Sequence, residues 1–127
     1  MKPEMAVLPS ELAGGVRVDV EKLVQLHALL GDAFAPLVAS FISNSALYVS
    51  QIEAAVVQNN LVEAAAIAHK LKSSAAQLGL PDLAMAAERV EKLGPAEHLP
   101  SLKAAQGDIC AALHEKAAAV SRGENLQ

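Results

Sequence analysis

Apolar residues recur at three- and four-residue intervals along most of this chain, and that spacing limits the folds open to it. Between residues 34 and 56, for example, this spacing is followed by Phe34, Leu37, Val38, Phe41, Ile42, Ala46, Val49, Ile52 and Val56. This period is typical of amphipathic helices, whereas a half-buried strand needs strict alternation. The sequence shows no strand alternation, heptad run or internal repeat. With 127 residues, it is sized for one helical domain.

Glycine, proline and the pair Asn59-Asn60 divide the pattern into five predicted helices. By residue number these are 19–30, 32–58, 61–78, 81–93 and 101–120, with the stretch GPAEHLPS at 94–101 as a loop. Their predicted inward faces include Leu37, Ala46 and Leu93. The fold class is therefore all-α: an antiparallel four-helix bundle with an additional short N-terminal helix. Residues 1–18 are predicted to be a lead-in or linker, 19–120 the bundle and 121–127 a frayed tail.

Charge and cysteine content narrow the function classes. The net charge is −4, so no basic field is available for nucleic acid or an anionic membrane, and proteins or small molecules are the expected partners. Cys110 is the lone cysteine, which excludes an intrachain disulfide. Apolar windows are broken before about 18 residues, which predicts no membrane span, and the start does not resemble a signal peptide. We expect a cytoplasmic monomer without membrane contact.

The third predicted helix contains the segment AHKLKSSAAQLG, whose polar residues need an explanation. With His69 at zero on a wheel of about 100° per residue, the large apolar residues of this helix fall at roughly 160° to 220°. His69 therefore points away from the core. Its own face is built mostly from short side chains, which leave the imidazole accessible to a protein partner. The residues predicted to flank it as a docking surface are Val62, Ala65, Ala66, Ser73, Ala76 and Gln77.

An exposed neutral imidazole is a nitrogen nucleophile that can take a phosphoryl group. Lys72, three residues on, can reach that group, and Ser73, four residues on, is small and can donate a hydrogen bond. The other ring nitrogen needs an acceptor. Glu91 on the fourth helix is the candidate for this role, with Gln77 and Glu88 as alternatives.

The stretch AHKLKSSAAQLGLPDLAMAAERVEKL resembles the histidine-containing phosphotransfer (HPt) domain of two-component phosphorelays. That family carries an Ala-His-x-Leu-Lys-Gly-Ser-Ala-x-x-Leu-Gly run followed by a helix with a Leu-Glu pair. The resemblance covers about residues 17–94. It implies that His69 is the phospho-accepting residue, that Lys72 stabilises the phosphoryl group, and that Glu91 bonds the ring nitrogen that is not phosphorylated. Ser73 stands where the family most often has glycine.

The resemblance also implies the partners. Response-regulator receiver domains would donate and accept the phosphoryl group, and Mg²⁺ would be supplied by the receiver, with no cofactor bound by this chain. No glycine run of the ATP-binding type is present, so the protein would be a carrier without its own kinase domain. A hybrid sensor histidine kinase, in the same or another chain, would be its source of phosphate. The broken lead-in favours excision from such a kinase over a free-standing protein.

Two other function classes make different demands on the sequence. A helical adaptor would use the same small-residue face for binding only, without carrying phosphate. A metal-binding four-helix bundle would need inward Glu-x-x-His pairs, which the sequence lacks, so no metal site is predicted. His27, His98 and His114 are assigned surface or packing roles.

Overall fold

Five α-helices and one 3₁₀ turn form the part of the protein that the computed structural model describes, residues 17–123. The helices are α1 (Val20–Leu30), α2 (Phe34–Val57), α3 (Leu61–Gln77), α4 (Pro81–Leu93) and α5 (Pro95–Ser121), and the 3₁₀ turn is Gly31–Ala33. The described residues contain no strand. The predicted lead-in (1–18) and tail (121–127) lie outside the described residues, apart from 17–18 and 121–123.

The long helices α2 to α5 form the bundle, each packed against its neighbours in chain order, and α5 closes the ring against α2. Short connections between packed neighbours make consecutive helices antiparallel. The short α1 lies against α5 and α2 and buries only Leu23. The all-α fold, with four bundle helices and a short N-terminal helix, is confirmed.

Local chemistry explains where these helices begin and end. Asp19 caps α1 by accepting a hydrogen bond from the backbone N–H of Lys22 at 3.1 Å. Between α2 and α3, Asn59 adopts a positive φ of 59°, and Asn60 caps α3 through the N–H of Glu63. Pro81 opens α4 in the first turn, where its missing N–H costs nothing.

Gly79, in the turn between α3 and α4, is needed for two reasons. Its φ of +76° lies in the left-handed region, and a Cβ there would stand 2.8 Å from the Cβ of Asp19. The close approach exists because the N–H of Asp19 donates to the carbonyl of Gly79 at 2.8 Å. Arg17 adds an ion pair to Asp82 on the first turn of α4. The start of α1 is thereby bound to the end of the helix that carries His69.

The fifth helix begins earlier than predicted. The stretch 94–101 was predicted to be a loop, but α5 starts at Pro95, and the N–H of His98 already donates to the carbonyl of Gly94. Pro100 therefore lies inside the helix, where it removes one backbone hydrogen bond. Leu99 and Leu102 are buried on either side of it. Their burial offsets that loss, which is why the proline does not end the helix.

Three residues predicted to face the core do not. Leu93 is 64% exposed at the end of α4, Leu37 is 40% exposed, and Ala46 is exposed on α2. The residue that is buried at this point of α2 is Ser45, which precedes Ala46 in the chain. Its hydroxyl donates a hydrogen bond to the carbonyl of Ile42 and accepts one from Gln106 of α5. A serine can occupy this apolar seam because its hydrogen bonds are made there.

The helical stretch Val20–Val57 is long and apolar enough to cross a membrane by length and composition alone. The prediction that no such stretch exists was too strict, because residues 33–52 carry no charge. Core helices of soluble bundles meet the same criterion. Here α2 inserts Phe34, Val38 and Ile52 into the bundle core, while its outward side includes Ser40 and Asn44.

Candidate functional site

His69 lies near the middle of α3, on the side away from the core. Its side chain is 57% exposed, whereas Leu71 and Ala68 on the same helix are completely buried. The helix is oriented by burial of its apolar stripe, so the imidazole is left in solvent. This is the orientation that the helical wheel predicted.

Glu91 of α4 contacts the ring. Its Oε2 lies 3.0 Å from Nδ1 of His69. An ionised carboxylate can only accept a hydrogen bond. Nδ1 therefore carries the proton and donates the hydrogen bond to Oε2 of Glu91. The neutral ring then has its lone pair on Nε2, the nitrogen that points away from Glu91. In this neutral tautomer, Nε2 is the nitrogen that is open to a partner.

Small residues allow α4 to come close enough for this contact. Ala68 and Ala75 of α3 and Ala87 of α4 are completely buried. Alanine at a helix interface lets two backbones approach closely, and the short turn around Gly79 sets the register of the antiparallel pair. The spacing of Leu83, Ala87 and Val90 then turns Glu91 to the edge of the interface, where its side chain is 20% exposed.

Lys72 is paired with the same carboxylate. Its Nζ lies 3.1 Å from Oε1 of Glu91, at ion-pair distance, although the angles are not those of a hydrogen bond. This ammonium is the main reason that the pKa of Glu91 lies below its ordinary value; partial desolvation opposes the shift and His69 adds to it. The Glu91 carboxyl is therefore ionised at neutral pH, as acceptance from Nδ1 requires.

The remaining predicted site residues lie around this cluster without bonding to the ring. Ser73 is exposed on the His69 face. Gln77 lines an open groove of about 260 Å³ with Ser74 and Tyr48. Glu88 lies on the outer surface of α4 beside Met85. Of the three candidates for the ring-nitrogen contact, the structure brings Glu91 to His69.

The predicted docking residues lie on α3 with His69, and most of them are exposed. Val62 is 83% exposed, Ala66 and Ala76 are exposed, and Ala65 is partly buried. Two further exposed apolar residues at the α2–α3 turn, Val57 and Leu61, were not among the predicted docking residues. The run VVQNNLV, with apolar residues on both sides of a polar turn, was the available signal.

The other histidines lie elsewhere. The ring of His27 packs edge-on against Phe34 with 5.3 Å between ring centroids. His98 is partly buried in the first turns of α5, and His114 is exposed beside the alanines of α2 and α5. Within residues 17–123 no three histidine, cysteine, aspartate or glutamate side chains are grouped so that they could hold a metal ion.

Comparison with known families decides the class of this arrangement. A family model for the Hpt domain matches residues 36–123, well over half of the chain. The chain belongs to the Hpt domain family. The match begins two residues into α2 and contains the rest of the bundle. A search of curated proteins and a search of solved structures each gave no match.

Hpt domains transfer phosphoryl groups in two-component phosphorelays, and they interact in general with response-regulator receiver domains. The family match ends at residue 123, beyond the resemblance at about residues 17–94, because it includes α5. It does not by itself assign roles to single residues. Those roles rest on the geometry of His69, Glu91 and Lys72.

Proposed function

We propose that this Hpt domain is a phosphorelay intermediate in which His69 accepts a phosphoryl group from a receiver aspartate and passes it to a second receiver aspartate. The observation that carries the proposal is the contact between Nδ1 of His69 and Glu91, on a side chain that is 57% exposed. An exposed imidazole with its outer nitrogen unprotonated is what attack on an acyl phosphate requires. No kinase chemistry is needed from this chain.

In the first transfer, Nε2 of His69 attacks the phosphorus atom in line with the bond to the aspartate oxygen. The P–N bond forms, the P–O bond breaks, and the aspartate leaves as a carboxylate. The protein contributes positioning and charge, since little covalent chemistry remains to be catalysed. Mg²⁺, held by the receiver, would neutralise the phosphoryl oxygens, and this chain would bind no cofactor.

Lys72 is proposed to stabilise the phosphoryl group on Nε2. In the unphosphorylated protein its ammonium is held by Glu91 and its side chain is 21% exposed. A lysine stem is flexible, so the same ammonium can turn toward a new anion three residues away on the helix. Ser73 and Gln77 border the site and are proposed to contact the phosphoryl group or the incoming receiver.

The receiver is proposed to dock on the face around His69, formed by Val62, Ala65, Ala66 and Ala76. Short side chains give clearance at the centre, and exposed Val62 gives apolar area at one side. A hybrid histidine kinase, in this or another chain, would be the upstream source of phosphate. Hpt domains are generally soluble and cytoplasmic, and we propose that location for a monomeric domain here.

Transfer from purified phosphorylated receivers of the same organism tests the proposal. Incubation with radiolabelled phosphoreceiver should place an acid-labile, base-stable label on the wild-type chain and none on His69→Gln. A matched control, His114→Gln, should label like the wild type because that residue lies on α5. Labelling of His69→Gln as strongly as the wild type would show that His69 is not the acceptor. No labelling of the wild type by any receiver that binds it would favour the helical adaptor instead.

A further inference from the structure

We propose that Glu91 competes with the phosphoryl group on His69 for the ammonium of Lys72, and that this competition limits how strongly the domain holds phosphate. The inference rests on the proposed function, because it concerns how the same site is regulated. Through Lys72, the carboxylate of Glu91 offsets part of the stabilisation that the ammonium gives to the phosphohistidine.

Lys72 is already paired before any phosphate arrives. Its Nζ lies 3.1 Å from Oε1 of Glu91, and the two side chains are only 21% and 20% exposed. Within residues 17–123, Oε1 is buried and accepts no hydrogen bond, so the ammonium is the charge that compensates it. Opposite charges that are partly buried are screened less than surface charges, and removing one partner leaves the other uncompensated. Breaking this ion pair therefore has a cost.

The phosphoryl group would form on the other side of the imidazole. Nδ1 of His69 faces Oε2 of Glu91 at 3.0 Å, so Nε2 points away from the carboxylate. The side chain of His69 is 57% exposed, which directs a group on Nε2 toward solvent, whereas Oε1 of Glu91 is buried. Because the two anions lie on different sides of the ring, the ammonium of Lys72 leaves Oε1 when it turns to the phosphoryl group.

Transfer adds negative charge to a site that already contains a carboxylate. When Nε2 attacks the acyl phosphate of the receiver, the P–O bond breaks, the P–N bond forms and the aspartate leaves as a carboxylate. The neutral ring becomes a cation and the phosphoryl group bonded to it is a dianion, so the His69 side chain gains a net negative charge. Lys72 is then attracted by two anions, and pairing with one leaves the other without its cation.

The exchange of partners makes the hold on phosphate weaker than Lys72 alone would make it. Because the ammonium is paired in both states, it contributes to the phosphohistidine only the difference between two ion pairs. A lysine without a partner in the unphosphorylated protein would contribute the whole of the new charge-assisted contact. An intermediate has to release its phosphate to the next receiver, and a small free-energy difference between the two states favours transfer in either direction.

A double-mutant cycle tests the competition through the phosphorylation equilibrium between this domain and a receiver. Lys72→Met removes the positive charge and keeps an unbranched stem, and Glu91→Gln removes the negative charge and keeps the shape. The equilibrium constant with Lys72 is divided by that with Lys72→Met, once in the wild-type background and once in Glu91→Gln. Competition predicts that this ratio is about three- to fivefold larger in Glu91→Gln, where the ammonium has no carboxylate to leave.

Glu88→Gln provides the matched background. It removes the same charge about one turn away, on the outer surface of α4, and should leave the ratio at its wild-type value. An equal ratio in Glu91→Gln would mean that Glu91 does not affect what Lys72 contributes, and a smaller ratio would mean that Glu91 holds Lys72 in place for the phosphoryl group. Either result would overturn the inference while leaving the relay intact.

Loading with phosphoramidate, a small phosphoryl donor, gives a readout that needs no receiver. The ¹³Cε signal of Lys72 should move on loading of the wild type and should then lie close to its position in loaded Glu91→Gln; His69→Gln identifies changes that come from other histidines. A signal that stays at its unphosphorylated position would show that Lys72 remains with Glu91, against the inference. Failure of every receiver to exchange phosphate would instead count against the proposed function, and the NMR result would still decide the competition.

Discussion

The ammonium of Lys72 lies 3.1 Å from Oε1 of Glu91, so before phosphorylation the lysine is paired with the residue that bonds the imidazole of His69. In the proposed relay the lysine therefore has two anionic partners in turn: the Glu91 carboxylate in the unphosphorylated protein and the phosphoryl group on His69 after transfer. Removing the ammonium of Lys72 should therefore weaken His69 as a phosphoryl acceptor and destabilise the phosphohistidine that it forms.

Replacing Lys72 with alanine is expected to slow phosphoryl transfer to His69 by roughly 10- to 100-fold, because one preorganised cation is lost from the charge that develops on the phosphoryl group. The rate of label transfer from a fixed phosphoreceiver measures this. Lys70→Ala is the matched control, since Lys70 lines the cleft toward α2, and its rate should stay within about twofold of wild type. Equal losses in the two variants would mean that only general positive charge matters.

A charged side chain at Ala76 should obstruct receiver docking. Ala76 is exposed on the His69 face, and Ala76→Glu adds bulk and negative charge where the proposal requires clearance. Transfer should fall by about tenfold or more, with helicity by circular dichroism unchanged. Ala111→Glu, at an exposed position of α5 diagonal to α3, should transfer normally. Normal transfer in Ala76→Glu would show that the docking face is misassigned.

Gly79→Ala should destabilise the fold by about 2–4 kcal/mol, since it combines left-handed backbone strain with overpacking against Asp19. Gly123→Ala is the comparison: its φ of +74° nearly equals the +76° of Gly79, but nothing lies within 4 Å of the added Cβ. Urea unfolding should show a clearly smaller loss for Gly123→Ala. Similar losses would indicate that the contact with Asp19 adjusts at little cost.

Acid should remove the stabilising contribution of Glu91. Because Lys72 lowers the pKa of this carboxyl in the folded state, the contribution is complete above the ordinary value of 4.5 and is lost as the pH falls through the lower folded value. The difference in unfolding free energy between wild type and Glu91→Gln should therefore narrow as the pH falls below about 4.5, and it should be smaller at about pH 3 than at pH 7. A gap that is constant over this range would exclude a role for the carboxylate charge in stability.

Helical periodicity was sufficient to predict the number of helices and the outward direction of His69, because burial of Leu71 and its neighbours fixes the rotation of α3. Periodicity could not decide between two prolines as the start of α5. Pro95 and Pro100 are both plausible first-turn residues, and the choice depends on the burial of Leu99 between them. Periodicity also could not predict that Leu93 is exposed, because the end of a helix can extend beyond the helices packed against it.

Contacts between distant segments were harder to foresee. The ion pair of Arg17 with Asp82 joins residues 65 positions apart, and nothing in either local sequence marks it. The contact of Glu91 with His69 was one of three alternatives from the residues alone, because the rotation of α4 relative to α3 depends on how closely their alanines pack. The resemblance to the Hpt family favoured Glu91 over Gln77 and Glu88.

His69, the proposed nucleophile, and Glu91, which accepts its hydrogen bond, come from different helices, so reactivity should depend on how α3 and α4 move relative to each other. If α4 separates locally from α3, Glu91 withdraws, and the imidazole loses the preference for one tautomer that makes Nε2 available. Local separation of α3 from α4 would then by itself be enough to make His69 less reactive. A ligand or substitution that only loosens the α3–α4 pair would lower the active fraction of the protein without touching His69.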